Sequence, residues 1–144
     1  MSYDLEVLNG DLVISSNGDF SQITDTDKLQ QDLIKIATTT AGANVLQPWY
    51  GSLIGRSLIG SYLASDTIIS IAKSQLQNAV TNLQNLQKIQ VSSGQPVSPA
   101  EQISFINDIS IVRSTVDPRI FNVVIKVFNR AFGRIAASFV VNNT

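Results

Sequence analysis

The sequence predicts an α+β domain, in which strands form the beginning and the end of the chain and helices form the middle. Three observations lead to this prediction. Turn signals separate short apolar segments over residues 1–23, and apolar residues follow a helical spacing within 24–91. Apolar residues alternate over 106–141, within the predicted sheet region 100–144. Residues 92–99 form a Ser-, Gly- and Pro-rich loop before the final sheet. With 144 residues, the chain is expected to form one domain with one core.

The amino-terminal region has the pattern of a short β-hairpin followed by a helix. An Asn-Gly-Asp turn at 9–11 separates Leu5-Glu6-Val7 from Leu12-Val13-Ile14, and a second one at 17–19 precedes Phe20. Thr24 is a candidate N-cap for a helix that runs to about Thr39. We expect its inner face to consist of Leu29, Leu33, Ile36 and Ala37.

The middle of the chain predicts a connector and a long helix. The connector at 41–62 holds the only Trp, and we expect a short helix over 52–60 within it, with Gly60 at its end. The long helix extends from Asp66 to about Gln90. Its apolar stripe is Ile69, Ala72, Leu76, Ala79, Leu83 and Leu86. A core helix is the favoured interpretation of this stripe, and a self-associating coiled coil is the alternative.

The carboxy-terminal region predicts a three-stranded antiparallel sheet. A capping-box spacing at 98–101 indicates one helical turn, and alternation then predicts strands at 106–114, 120–129 and 134–141. The odd positions of the middle strand form the core face. Its even positions are also partly apolar, with Ile120, Val124 and Phe128. We expect the protein's own helices to cover that second face, and a partner is the alternative.

Charge is unevenly distributed along the chain. Residues 1–34 contain seven acidic residues and one lysine, whereas residues 111–144 contain five basic residues and one aspartate. Two interpretations are open: solvated faces that pack near each other, or electrostatic docking of copies or partners.

The composition argues against catalysis. The chain has no His and no Cys, and its only glutamates are Glu6 and Glu101. Ser70 and Lys73 have the spacing of serine acyl enzymes, but the companion motifs are missing. No glycine-rich phosphate loop is present. We therefore expect no catalytic residues, no metal and no cofactor.

Composition also limits the environment and the partners. A net charge of −1 without a basic aromatic patch gives no reason to expect nucleic acid. No apolar run approaches the roughly 20 residues that span a bilayer, so we expect no membrane partner. The first residues lack the features of a signal peptide, and we expect a soluble protein made in a reducing cytoplasm.

The last strand is the strongest candidate for function. It contains no Lys, no Pro and no inward charge, which are the common devices that stop an edge strand from pairing with another chain. An open edge satisfies its backbone groups when a foreign strand is added. The predicted docking strand comprises Arg134, Ile135, Ala137, Phe139 and Val141.

Several segments carry a resemblance in their order and spacing. They begin with Gly18, Asp19 and Phe20, continue with 29–34, 40–42 and 49–53, and end with Asp117, Pro118 and Arg119. The segments at 29–34, 40–42 and 49–53 include Gln31, Asp32, Gly42, Tyr50 and Gly51. Together they resemble the baseplate wedge proteins of contractile phage tails, a family called lysozyme-like, with relatives in type VI secretion. Asp117 departs from the family's usual Glu.

The resemblance implies a non-enzymatic component of a tail baseplate, located in the virion and assembled in the host cytoplasm. Proteins of that family offer their carboxy-terminal strands to the first ring of sheath subunits. The implied partners are the sheath protein and other wedge and tube-base proteins, with multiple copies in a symmetric assembly. The matching Asp117, Pro118 and Arg119 are implied partner contacts. A tail-associated cell-wall hydrolase and a helical self-association module are the alternatives.

Overall fold

The computed structural model of the protein describes residues 2–58 and 66–142. Its amino-terminal part consists of two short antiparallel strand pairs, as the turn signals predict. Strand β1 (Tyr3–Leu5) pairs with β4 (Gln22–Thr24), and β2 (Val7–Leu8) pairs with β3 (Asp11–Leu12). The Asn-Gly-Asp turn at 9–11 lies between β2 and β3, where the sequence places it.

Three helices follow, α1 (Asp25–Thr38), α2 (Ile54–Leu58) and α3 (Asp66–Ser92). Thr24 occupies the N-cap position of α1, but its side chain makes no capping hydrogen bond. The predicted helix end at Gly60 lies outside the described residues. None of the helices in the described part of the chain is both long and apolar enough to cross a membrane.

The carboxy-terminal part is the predicted three-stranded antiparallel sheet. A 3₁₀ turn (Pro99–Glu101) leads into β5 (Ile103–Arg113), which pairs with β6 (Ile120–Asn129). Strand β6 in turn pairs with β7 (Arg134–Asn142), so the order is β5-β6-β7 and β7 is an edge strand. The α+β prediction is confirmed. Strand β5 begins earlier than predicted because the irregular pairs around Phe105 break its alternation.

One apolar cluster lies between the helices and the odd face of the sheet. Because β6 is the central strand, its odd positions from Phe121 to Val127 are almost completely buried. Helix α1 packs against β7, and α3 packs against β5. The core members of the helices are Leu29, Leu33, Ile36, Ala37, Ile54, Leu58, Ala72, Leu76, Ala79, Val80 and Leu83.

The apolar stripe of α3 is used inside the molecule. Four of its members are buried in this cluster, and the outermost two, Ile69 and Leu86, are partly buried against it. Packing within the chain therefore supports the core interpretation of the stripe over a self-associating coiled coil.

The even face of the sheet is open, and the expectation that the protein's own helices cover it is wrong. Val112 and Val140 flank the even position Asn122 of β6 and are 56% and 59% exposed. Lys126 is exposed, and Val124 is only partly buried. The helices pack on the odd face, because it is apolar without interruption from Phe121 to Val127, whereas Asn122 and Lys126 interrupt the even face.

A buried glutamine joins α3 to the start of β5. The Gln87 side-chain amide donates to the Glu101 carbonyl oxygen (2.7 Å) and accepts from the Ile103 N–H (2.8 Å). These two bonds satisfy backbone groups that lie away from water between the 3₁₀ turn and the sheet.

Replacing this glutamine should destabilise the protein. Gln87→Leu leaves the buried Ile103 N–H and the Glu101 carbonyl without that partner, and we expect a loss of about 1–3 kcal/mol in the free energy of unfolding. Urea denaturation followed by circular dichroism measures it. Gln77→Leu, at an exposed position of the same helix, is the matched control. Equal effects of both substitutions would contradict the assigned role of Gln87.

Candidate functional site

On the free edge of β7, the backbone groups of every second residue point away from β6. The Gln30 side chain of α1 donates to the Ala136 carbonyl oxygen (3.0 Å), so this carbonyl points away from β6. In an antiparallel edge strand, both backbone groups of alternate residues point to the same side. Ser138, Val140 and Asn142 therefore also direct their N–H and C=O groups outward. Within the described residues, no strand pairs with them.

Most of the side chains predicted for docking pack in the core or against it and do not face the free edge. Ile135 and Ala137 are buried in the core, and Phe139 and Val141 are partly buried against it. The backbone groups of these odd positions face β6. Arg134 is exposed, and its guanidinium lies 5.5 Å from the ring centre of Phe128. The odd residues thus anchor β7, and the backbone of the even residues forms its available edge.

A groove runs beside this edge from Ser138 to Asn142. One part, of about 980 Å³, lies between β7, α1 and the β2–β3 hairpin. Its apolar lining includes Leu8, Ile34 and Phe139. The adjoining part is lined by Thr40, Ser52 and Ile54, among others. We call the two parts together the edge groove.

Gln31, one of the residues in the resemblance, holds the amino-terminal strands beside the edge groove. Its side-chain oxygen accepts from the Val7 N–H (2.8 Å), and its nitrogen donates to the Leu5 carbonyl oxygen (2.9 Å). The side-chain amide thus bonds to this segment as a peptide group of a neighbouring strand would. These two bonds need a side chain on α1 that is long enough to reach the segment and that carries both a donor and an acceptor, and Gln has both properties.

Lys35 connects Asp32, another residue of the resemblance, to the first strand. Its ammonium lies 2.6 Å from an Asp4 carboxylate oxygen and 3.8 Å from Asp32, which also pairs with Lys28 at 2.8 Å. Burial opposes ionisation of Asp4, but the bond and charge of Lys35, together with the hydrogen bonds from the Leu5 N–H and the Gln31 amide, outweigh it, so the pKa of Asp4 lies below its usual value. Burial likewise opposes the charge of Lys35, but its bond to Asp4 and the negative charges of Asp32 and Asp4 together raise its pKa. Burial raises the pKa of the nearby Tyr50.

The loop after α1 is closed at its base by backbone bonds. The Ala41 N–H donates to the Ser52 carbonyl oxygen (3.0 Å), and the Ser52 N–H donates to the Thr39 carbonyl oxygen (2.8 Å). Gly51 has φ +118°, and a Cβ placed there would lie 2.6 Å from the Thr39 carbonyl oxygen. Only glycine fits such a close approach. Gly42 donates its N–H to the Pro48 carbonyl oxygen (3.0 Å) inside the same loop.

The remaining amino-terminal residues of the resemblance lie in a separate turn. The Gly18 N–H donates to the Ser15 carbonyl oxygen (3.0 Å), and the Asp19 carbonyl oxygen accepts from the Ser15 N–H (2.7 Å). Phe20 forms an isolated bridge with Ile14 and remains exposed. None of these three residues lines the edge groove.

Asp117, Pro118 and Arg119 form the turn between β5 and β6. The Asp117 carboxylate accepts from the Arg119 backbone N–H (3.0 Å) and from two nitrogens of its guanidinium (3.2 Å each). The hydrogen bond from the Arg119 side chain lowers the pKa of Asp117. This turn lies at the end of the sheet where Ile120 pairs with Asn142, so it adjoins the carboxyl end of β7.

The two glutamates are engaged within the molecule. Glu6 accepts from the Ser21 hydroxyl (2.7 Å). Glu101 is 1% exposed, and one of its oxygens accepts from the Ser2 hydroxyl (2.6 Å) and the Ser98 N–H (3.2 Å). In residues 2–58 and 66–142, no three carboxylates come together as a metal site would require.

Comparison with known proteins gives one informative likeness. No protein-family profile and no curated protein matches the chain. A solved structure from Geobacter sulfurreducens, which carries the provisional name tail lysozyme, matches with a TM-score of 0.61 at 12% identity. The match covers 93% of this chain and 97% of the other. At that identity, the likeness establishes a shared fold.

The Asp4–Lys35 pair predicts a pH dependence of stability. The folded state lowers the pKa of Asp4, so the contribution of the pair is present above its usual value of 3.8 and is lost as pH falls through the lower folded value. Asp4→Asn should cost about 0.5–1 kcal/mol at neutral pH, because the pair is partly exposed. The cost should disappear in acid. Urea denaturation across pH measures both effects, with Asp19→Asn as the control. A cost independent of pH would contradict this assignment.

Proposed function

We propose that the protein is a structural component of a contractile-tail baseplate and starts sheath assembly by receiving a strand of a sheath subunit along β7. The observation that carries this proposal is the outward row of backbone groups at Ser138, Val140 and Asn142. A hydrogen bond contributes roughly 0.5–1.5 kcal/mol net. Bonds to this row would therefore contribute on the order of a few kcal/mol, before the cost of ordering the incoming strand.

The edge groove supports this proposal because it gives the incoming strand a place to lie. Ile34 and Phe139 supply apolar surface to one face of such a strand, and the β2–β3 hairpin bounds the far side. Gln30 already bonds to the edge at Ala136. A docking strand would thus continue from that point toward the carboxyl end of β7.

The shared fold supports the tail location. The Geobacter sulfurreducens protein carries the word tail in its name, and the sequence resemblance to baseplate wedge proteins of phage tails supports the same location. We therefore propose a place in the tail baseplate of a virion, with several copies in a symmetric assembly and with sheath, wedge and tube-base proteins as partners.

The turn at Asp117, Pro118 and Arg119 supplies a second contact in this proposal. Arg119 is held by Asp117 but remains 68% exposed at its side chain. Since this turn adjoins the carboxyl end of β7, one wedge or tube-base partner would contact the turn while the sheath strand occupies the edge.

The contacts of the glutamates support a non-enzymatic role. Cell-wall hydrolysis by glycosidase chemistry needs two carboxyl groups across an accessible cleft. Glu101 is buried and accepts hydrogen bonds from the Ser2 hydroxyl and the Ser98 N–H, and Glu6 accepts from the Ser21 hydroxyl. Both carboxylates thus stabilise the amino-terminal region.

A backbone substitution tests the strand-docking proposal. Val140→Pro removes one outward N–H without removing a bond to β6, and proline is tolerated on the open side of an edge strand. We expect the variant to fold and to seed sheath poorly. The measurement is electron microscopy of polymer formed by purified sheath subunits from the same genome. Val140→Ala, which keeps the N–H, should seed as the unmodified protein does.

Normal seeding by a folded Val140→Pro protein would refute docking at β7. Unfolding of that variant, detected by circular dichroism, would instead require Val140 N-methylation by semisynthesis, which removes the same donor. Deleting the whole strand is a poorer test, because Ile135 and Ala137 belong to the core.

A peptidoglycan assay tests the non-enzymatic proposal separately. We expect no clearing in a zymogram loaded with the purified protein, because neither glutamate is placed for catalysis. Hen egg-white lysozyme on the same gel is the positive control. A cleared band that Glu101→Gln abolishes would overturn the structural assignment in favour of a hydrolase.

A further inference from the structure

The turn between β6 and β7 presents an exposed aromatic side chain on a strained backbone. Phe132 is 94% exposed and has φ +62°, a conformation that bulky side chains rarely adopt. Beside it on the even face, Phe105 stacks on Phe128 with 4.7 Å between ring centres. Both Arg130 and Arg134 are exposed at this end of the sheet. We call these five residues the hairpin patch.

The charge of the hairpin patch is not neutralised within the described part of the molecule. The ion pairs among the described residues have Lys28, Lys35 and Arg119 as their basic partners and do not include Arg130 or Arg134. Arg134 lies over the Phe128 ring, which holds it in place and leaves its charge available.

A second exposed surface of opposite charge lies in the amino-terminal strands. Ile14 is two residues after Leu12 and bridges to Phe20, so the three side chains form an apolar stripe on one face. All three are exposed. Asp11 and Asp19 directly precede Leu12 and Phe20 in the chain, and neither forms an ion pair with another described residue. These five residues are the amino-terminal patch, and none of them lines the edge groove.

We propose that the two patches bind each other between copies of this chain, so that the hairpin patch of one copy contacts the amino-terminal patch of the next. Phe132 supplies the apolar anchor, and the arginines face the aspartates. This contact lies outside the β7 edge and does not depend on the proposed sheath partner.

The two patches carry opposite charges and both expose apolar side chains, which favours a second copy of this chain as the partner that binds each patch. A polyanion such as single-stranded nucleic acid would use the arginines and the aromatic rings, but it would leave the stripe of Leu12, Ile14 and Phe20 in water. A contact between copies covers both apolar surfaces and neutralises both sets of charges.

The contact joins two different surfaces, so it is head-to-tail. Such a contact leaves one free patch at each end and either closes into a ring or extends into a chain. Because charge contributes, the association should weaken as salt screens it. Because the apolar area is small, it should be weak at low protein concentration.

The first test is the mass of the purified full-length protein by analytical ultracentrifugation over a range of concentrations. At roughly 0.05 M salt we expect the mass to rise with concentration, and at roughly 0.5 M we expect the rise to diminish. Phe132→Asn should weaken association at least about fivefold, as the loss of an anchor residue does. Asn is tolerated at positive φ, so this variant should fold at least as well.

Val116→Asn is the matched control for Phe132→Asn. Val116 is equally exposed, at 94%, but lies outside both patches, so its replacement should leave the association unchanged.

Charge reversal tests which surfaces meet. Arg130→Glu and Asp19→Arg should each weaken self-association. Their mixture should associate again, because each protein then offers the other a complementary patch. A contact between two identical patches would not recover in this way.

Three results would overturn the proposal: a monomeric protein at low salt and high concentration, unchanged association of Phe132→Asn, or a mixture of the charge variants that remains monomeric. Salt-sensitive binding of a single-stranded oligonucleotide by such a monomer, lost in Arg130→Glu, would assign the hairpin patch to a polyanion instead.

Discussion

The attachment of β7 by one side only is the constraint on which the rest of the structure depends. Its odd residues insert Ile135 and Ala137 into the core, and their backbone groups bond to β6. Its even residues direct their backbone groups away from the sheet, and among the residues that the structure describes, Ala136 is the one with a side-chain partner there, in Gln30. The odd residues of β7 therefore hold the strand in the sheet, and the even residues leave backbone groups free to bind another strand.

The amino-terminal region is placed beside that edge by polar contacts rather than by a core of its own. Gln31 bonds to the segment between Leu5 and Val7, and Lys35 binds Asp4. Both side chains project from α1, whose apolar face packs in the main core. The helix thus transmits the position of the core to the hairpin and fixes the width of the edge groove. These contacts explain why the resemblance includes polar residues of α1, Gln31 and Asp32: Gln31 bonds directly to the amino-terminal segment, and Asp32 pairs with the Lys35 that binds Asp4.

The molecule combines few catalytic features with several exposed surfaces. The open even face, the strand edge and the two oppositely charged patches all lie outside the main apolar cluster. The uneven distribution of charge along the sequence corresponds to this arrangement, because the unpaired aspartates and arginines lie in different parts of the fold. This arrangement is compatible with the proposed role, in which several neighbours contact different faces of one small domain.

Period-two and helical spacing in the sequence determined the α+β class, the three final strands and the inner faces of the helices. They also indicated β7 as the segment of interest. Only the tertiary structure decided which half of its residues remains available, because that depends on the register with β6 and on the contact of Gln30 with Ala136. The sequence likewise showed an apolar even face, but not that it is open. Alternation records which side chains are apolar, whereas the side on which helices pack follows from long-range contacts that no local pattern contains.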